Sequence, residues 1–591
     1  MFIEPFAHRG FVSCWLALAL VGAGASSVWG ERPSAPKLLP KSTLAYVRIA
    51  DSRELTRCFL KTSIGRLSQD EKIKPLIMHL YGSATQMFAR IQEEIGVSLS
   101  EILSIPQGEV CGAIVGRAQG DPAFVALVEV GDQMPVVHRM LERAERDLVR
   151  GGERIRTEVI DGATLTLITT QEEDEAAVCE RDGVVLIGSD AGLIREILKT
   201  WSGDEGVETL ADNREFTAIM SRSVGTKDER PQVTFFVDPI EFFKHVTRDS
   251  TGAQMALAML PALGLDGIKA VGGSQIYAAE DFDSITHVHL LLDSPRTGVL
   301  EMLALEPGDT SPEDWVPTDA ASYMTINWNT QKTVGAFRKL FDQIRGEGAL
   351  SSAIARDLSD QLGVDFEKEV LQKIGGRFTY VTWFEMPARV NSSTGLVGVR
   401  LVDAAGFQST LEKMMTKGGA TAAKQSYRGI TYYQFQTGRQ QDTDATLVRP
   451  PTPCLGLVGD YLLLSDSTKC LEAAIASKYD GSQALADELD FKLIASRIEQ
   501  YPGTTRPGML AFQRPEESMR SFYELAMSPA IRLQLEEAAK TNSALRALHT
   551  ALQDNPLPPF ADIAKYLAPA GGLMVNDETG IHYTAFGLKR E

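Results

Sequence analysis

The sequence predicts an α+β protein built as two tandem copies, each a largely antiparallel β-sheet with helices packed on one face. Three observations predict this class. The hydrophobic period switches between two and 3.6, two-residue turn signals separate β-rich runs, and a series of short motifs occurs twice in the same order. Strands joined by two-residue turns must run antiparallel. A Rossmann or barrel fold would need regular βαβ alternation, which the pattern lacks.

Residues 1–25 carry Arg9 as their one Lys or Arg, then an apolar run from Phe11 to Ala25 that ends in Ala23-Gly24-Ala25. That is the order of an export signal, with cleavage expected after Ala25 and, as second choice, after Gly30. The run is shorter than the ~20 residues that cross a bilayer, and it contains Gly22 and Gly24. Residues 26–37 read as a linker. Copy one is expected over residues 38–310 and copy two over 311–591, joined near Glu306-Pro307-Gly308-Asp309-Thr310-Ser311-Pro312.

Copy one opens with Leu39-Pro40-Lys41-Ser42-Thr43-Leu44-Ala45-Tyr46-Val47-Arg48-Ile49. Copy two opens with Val316-Pro317-Thr318-Asp319-Ala320-Ala321-Ser322-Tyr323-Met324-Thr325-Ile326, with proline and tyrosine at the same spacing. Ile95-Gly96-Val97 leading to Gly108 is matched by Leu362-Gly363-Val364 leading to Gly376, and Val130-Gly131-Asp132 by Leu401-Val402-Asp403. Leu186-Ile187-Gly188-Ser189-Asp190 returns as Leu462-Leu463-Leu464-Ser465-Asp466. Leu210-Ala211-Asp212 with Phe216 returns as Leu485-Ala486-Asp487 with Phe491, and Gly272-Gly273 as Gly571-Gly572.

Within each copy a β-rich run, Ala123 to Val130 or Leu396 to Val402, feeds a helix. The apolar face of the first helix is Val136, Val137, Met140, Leu141, Ala144 and Leu148, and that of the second is Phe407, Leu411, Met414 and Met415. Asp161-Gly162 and Arg428-Gly429 have the composition of tight hairpin turns, since glycine tolerates the positive φ that a type I′ turn demands. Asp182-Gly183 and Gly459-Asp460 mark the next hairpins. Asp190 is expected to cap the helix carrying Ile194 and Trp201, and Asp466 the helix carrying Cys470 and Ile475.

With 59 Lys plus Arg against 78 Asp plus Glu, the net charge of −19 repels phosphate backbones, and nucleic acid is not an expected partner. No later segment reaches spanning length. The most apolar, Met255 to Leu265, is expected as a short buried helix ended by Pro261, with an exposed apolar lobe as the alternative. Cys14 lies too early in the apolar run to be a lipid acceptor. The other five, Cys58, Cys111, Cys179, Cys454 and Cys470, have no metal-ligand spacing and read as small buried hydrophobes, a Cys454–Cys470 bridge being the one pairing to weigh.

No catalytic, cofactor-binding or metal-binding residue is assigned from the sequence. There is no G-x-S-x-G, and in Gly188-Ser189-Asp190-Ala191-Gly192 the serine stands one place too early, so Ser189 reads as part of a helix cap. No phosphate loop, dinucleotide fingerprint or H-E-x-x-H occurs. His287 and His289 alternate on one strand face and could hold a metal, with Glu280, Asp281 and Asp283 nearby, but copy two aligns Tyr583 and Ala585 there. The acidic runs Glu280 to Asp283 and Glu172-Glu173-Asp174-Glu175 lack the rhythm of a calcium loop and read as solvated turns. His79, His138, His245, His549 and His582 are scattered, and His138 lies off its helix's apolar stripe.

The run Leu39-Pro40-x-Ser42-Thr43-Leu44-Ala45-Tyr46-Val47-Arg48-Ile49, with Ile64-Gly65-Arg66-Leu67 and Leu103-x-Ile105-Pro106-Gln107-Gly108-Glu109-Val110, resembles the large secreted bacterial proteins grouped as domain of unknown function 3352. Leu265 to Gly273 extends the likeness. The resemblance implies export and a shared α+β architecture, and it supplies no activity and no catalytic residue. Copy two has Gly375-Gly376-Arg377 where copy one has Gln107-Gly108-Glu109, so a site built on Glu109 would occur once per chain. The function expected is that of an exported, non-enzymatic protein of the bacterial cell envelope, periplasmic or extracellular, that binds an envelope protein, a surface polymer or a ligand. The alternative is a secreted hydrolase whose carboxylates no motif marks.

Overall fold

The structure is a computed structural model, and it describes residues 32–170, 174–204, 206–227, 229–417, 422–436, 448–480, 484–501 and 506–590. Residues 1–25, expected as an export signal, with Cys14, the alternative cleavage position Gly30, and Glu172-Glu173 lie outside the described residues. The fold is α+β, with antiparallel ladders and helices interleaved among them. The chain divides into two compact units. One comprises the chain up to Leu257, with Ile268–Leu291 and Ala551–Leu557; the other comprises Ala258–Gly267, Leu292–Thr550 and Pro558–Glu591.

The strands of the first unit are β1 (Thr43–Ile49), β2 (Val110–Val115), β3 (Ala123–Glu129), β4 (Arg154–Ile160), β5 (Ala163–Thr169), β6 (Glu175–Arg181), β7 (Val184–Gly188), β8 (Val233–Val237), β9 (Ile268–Tyr277) and β10 (Phe282–Leu292). They pair in the order β4-β5-β6-β7-β3-β2-β1-β8-β9-β10. Asp161 and Gly162 hold φ of 51° and 81° between the paired Ile160 and Ala163, which is the type I′ signature that sets the β4–β5 register. Asp182 and Gly183, at 52° and 77°, do the same between β6 and β7.

Helices cover both faces of this sheet, which corrects the expectation of one helical face. Leu186 packs with Leu193, Ile194 and Ile197 of the helix Ala191–Trp201. Its strand neighbour Val185 points the other way and packs with Val136 and Val137 of the helix Met134–Gly151. The cause is visible in β7 itself: Val184-Val185-Leu186-Ile187 is apolar at every position, so both faces need cover. Each such side chain, fully buried, contributes about 1.5–3 kcal/mol. An edge-on aromatic series, Tyr46 to Phe216 at 5.5 Å and Phe216 to Phe236 at 5.6 Å, ties β1 and β8 to the helix Arg214–Met220.

Residues 32–37, expected as linker, are built into the fold. Ala35 is fully buried, and the guanidinium of Arg32 reaches Glu109 and Glu129, each at 2.7 Å. Leu210 N–H then donates to the Leu39 carbonyl at 2.8 Å beside an isolated Pro40–Thr209 bridge. A linker composition gives no warning of this, because the segment's anchors lie far along the chain.

The strands of the second unit are β11 (Ser322–Asn327), β12 (Ile374–Phe384), β13 (Ser393–Leu401), β14 (Ala422–Tyr427), β15 (Ile430–Phe435), β16 (Cys454–Val458), β17 (Tyr461–Ser465), β18 (Met509–Gln513), β19 (Ala570–Asp577) and β20 (Gly580–Leu588). Their order is β14-β15-β16-β17-β13-β12-β11-β18-β19-β20. Arg428 and Gly429, at φ of 53° and 81°, turn β14 into β15, and Gly459 at 62° turns β16 into β17. Tyr323 meets Phe491 at 6.0 Å and Phe491 meets Phe512 at 5.5 Å, again edge-on. Leu485 N–H donates to the Val316 carbonyl at 3.0 Å beside a Pro317–Ala484 bridge.

Two further expectations are corrected. Asp466 is no helix cap: the helix runs Thr468–Asp480, while the Asp466 carboxylate accepts Gly395 N–H at 2.9 Å and pairs with Arg449. The segment around Met255 is not a buried helix ended by Pro261. The helix Thr251–Leu263 passes through Pro261 and buries none of its residues, with Met255 and Met259 66% and 53% exposed. Pro261 stands in the last turn, where the helix has little left to break. Among the described residues no helix is long and apolar enough to cross a membrane.

Candidate functional site

The residues singled out by sequence are drawn into structural work. His287 and His289 are 1% and 0% exposed on β10, and burial pushes the His287 imidazole down to about 4, so it is neutral at physiological pH. Asp283 accepts the N–H and hydroxyl of Ser63, at 2.7 and 3.1 Å, at the start of the helix Ser63–Gln69. Glu280 pairs with Lys227 at 2.6 Å. Among the described residues no group of three His, Cys, Asp or Glu side chains converges as metal ligands. Ser189 does not cap a helix with its hydroxyl. Its Oγ accepts Phe124 N–H at 2.9 Å and prolongs the β3–β7 ladder, and the cap is Asp190, which accepts Leu193 N–H at 2.8 Å.

All five described cysteines are buried free thiols, Cys454 and Cys470 included. Burial pushes the Cys179 thiol up to about 11 and that of Cys454 up to about 12, so neither is a thiolate nucleophile. Glu109 is buried and saturated, accepting from Arg48, Arg32 and Ala35 N–H. Arg377 of the second unit is likewise buried, held by Asp309 and Glu313 at 3.1 Å each and by the Thr325 hydroxyl at 3.1 Å.

The side chains free to meet a ligand lie elsewhere. In the first unit a cleft of about 390 Å³ lies between the helix Met134–Gly151 and strands β5 and β6. Helical spacing brings His138, Leu141, Glu142, Glu145 and Leu148 to the helix wall, and strand alternation brings Thr164, Thr166, Ile168, Val178 and Glu180 to the sheet wall. Leu141, Leu148, Ile168 and Val178 make the floor apolar. His138 Nε2 lies 2.8 Å from a Glu180 oxygen across the cleft. A second cleft, of about 470 Å³, lies in the second unit between Asp309, Ser311, Phe491 and Leu510; its rim at Glu499 and Arg506 flanks residues 502–505, outside the described residues.

Sequence reading named the apolar stripe of the helix Met134–Gly151 but missed the cleft. The signal was available: Glu142 and Glu145 border Leu141 and Leu148 on the same side of the helix, where a fully packed helix would carry apolar residues. Such a cleft can seat an apolar body on its floor and hold a polar head at its rim. No family model, curated protein or solved structure matches the chain.

Proposed function

We propose that the protein is an exported component of the bacterial cell envelope, of the kind grouped as domain of unknown function 3352, and that it acts by binding rather than by catalysis. One observation carries this reading. The groups whose proton affinities are displaced farthest, Tyr46, Tyr323, Tyr461, Cys111, Tyr432 and Cys454, lie in the packed interior, and none lines either cleft. A catalytic centre concentrates such groups where substrate arrives. The helix–sheet cleft instead offers an apolar floor with a few polar groups at its rim, the anatomy of a binding pocket.

The proposal includes two copies of one domain. Supporting it, each unit carries the same ten-strand order, the same Tyr-Phe-Phe series and the same bridge from the residue before Leu210 or Leu485 to a proline ahead of the first strand. Residues 1–25 serve as the export signal in this reading, and the mature chain is periplasmic or extracellular.

The test is recovery of the tagged full chain from cell envelopes, beside a Leu148→Trp variant that fills the cleft. A companion retained by the first and lost by the second supports the reading. Recovery of the chain alone overturns it. The intact mass of the exported protein, starting after Ala25 or Gly30, tests the localisation.

A further inference from the structure

We propose that the cleft between the helix Met134–Gly151 and β5–β6 binds a primary ammonium group carried on a methylene chain, as in a free polyamine or a lysine side chain. This rests on the reading of that cleft as the binding site.

The charge around the helix is sorted. Arg139, Arg143, Arg146 and Arg150 follow one line along it, and His138, Glu142 and Glu145 follow another that borders the cleft. Each arginine has a partner other than the carboxylates of Glu142 and Glu145: Arg139 has Glu101, Arg143 the Glu93 carbonyl, Arg146 the Glu142 carbonyl and Arg150 Asp147. Among the described residues the carboxylates of Glu142 and Glu145 form no ion pair. Across the opening Glu180 has His138 as its partner. No Lys or Arg is among the residues that line the cleft.

The unpaired Glu142 and Glu145 carboxylates, with Glu180 across the opening, focus a negative potential over the apolar walls, which selects a cation. The floor adds a second requirement. A bare ammonium ion would leave the half-buried Leu141 and Leu148 wet, whereas methylenes would cover them. The donors must also match. The carboxylates come from a helix and from a strand facing it, with the Thr164 and Thr166 hydroxyls between, so acceptors approach from several directions. That suits the three divergent N–H donors of an ammonium better than the planar fork of a guanidinium.

Isothermal titration calorimetry on the full chain tests this with n-hexylamine, 1,6-diaminohexane, N-acetyl-lysine methylamide, hexanoate and n-hexanol as probes. The amines should bind, hexanoate should not, and hexylamine affinity should fall as salt is raised. Glu142→Gln with Glu145→Gln, both at the cleft rim, should weaken hexylamine roughly tenfold. Leu148→Trp should abolish binding. A diamine tighter than the lysine derivative marks a polyamine ligand, and the reverse order marks a peptide lysine. Hexylamine binding no tighter than hexanol, or unchanged by the double glutamine variant, overturns the inference. If the amines fail while Leu148→Trp still loses its envelope companion, the ligand class alone is wrong. If that companion persists, the cleft is not the binding site.

Discussion

Glu109, just ahead of β2, and Arg377, within β12, stand at the same distance from a buried tyrosine's partner and carry opposite charge. Each stands four residues before the partner of a buried tyrosine: Ala113 opposite Tyr46 in one unit, Val381 opposite Tyr323 in the other. Glu109 is held by Arg32 and Arg48, and Arg377 by Asp309 and Glu313. Reversing all the charges preserves the attraction, so either polarity satisfies the position.

Removing one partner does not. Glu109→Gln would leave Arg32 and Arg48 without their shared carboxylate in a site of low dielectric, and breaking a buried pair in this way costs about 3–5 kcal/mol. Urea unfolding followed by tryptophan fluorescence should show that loss. A change under about 1 kcal/mol would mean that Arg32 and Arg48 find water instead.

His287 gives the fold an acid limit. Its folded-state affinity for protons, at about 4, is depressed below the ordinary histidine value of about 6.5, so the unfolded chain binds the proton more tightly. Stability from this site is therefore full above about pH 6.5 and is lost as pH falls through about 4, by roughly 3 kcal/mol in total. His287→Gln should flatten that part of the stability–pH curve. Parallel curves for the two proteins between pH 4 and pH 7 would remove His287 from the account.

Much of the fold was legible because turn chemistry is local. Asp161-Gly162, Asp182-Gly183 and Arg428-Gly429 name their hairpins through the positive φ that they adopt. What escaped was set by distant partners. Asp466 looks like Asp190 in sequence, yet Arg449 and the Gly395 amide claim its carboxylate. Arg32 sits in a segment with the composition of a linker and is fixed by Glu109 and Glu129 far along the chain. The apolar run in β7 could have announced two-sided burial, since alternation is missing there. The cleft was hidden for the converse reason: its helix has a proper apolar stripe, and sequence does not say how closely that stripe approaches the sheet.

Two glycines separate backbone strain from collision. At Gly162, φ is 81° and a Cβ would meet nothing within 4 Å, so Gly162→Ala should cost only the left-handed conformation, about 1–2 kcal/mol. At Gly273 a Cβ would stand 1.9 Å from the His287 carbonyl oxygen, and β9 and β10 would have to part. Gly273→Ala should therefore lower the melting temperature well beyond Gly162→Ala. Equal shifts would show that β10 yields at no expense.

The thiols offer the most direct check on the interior. All five described cysteines are buried, and burial raises the proton affinities of Cys111, Cys179, Cys454 and Cys470, so at pH 8 these sulfurs are both shielded and protonated. A thiol reagent should accordingly react with none of the five in the native chain, and its slow phase should track global unfolding. In denaturant without reductant the chain lacking residues 1–25 should then release five equivalents, because Cys454 and Cys470 are unbridged and Cys470 lies 2.9 Å from the Thr394 hydroxyl. Two equivalents fewer would place a disulfide where the structure has two separate thiols. Fast native labelling of Cys470 would instead mean that the helix Thr468–Asp480 opens on its own, ahead of the sheet it covers.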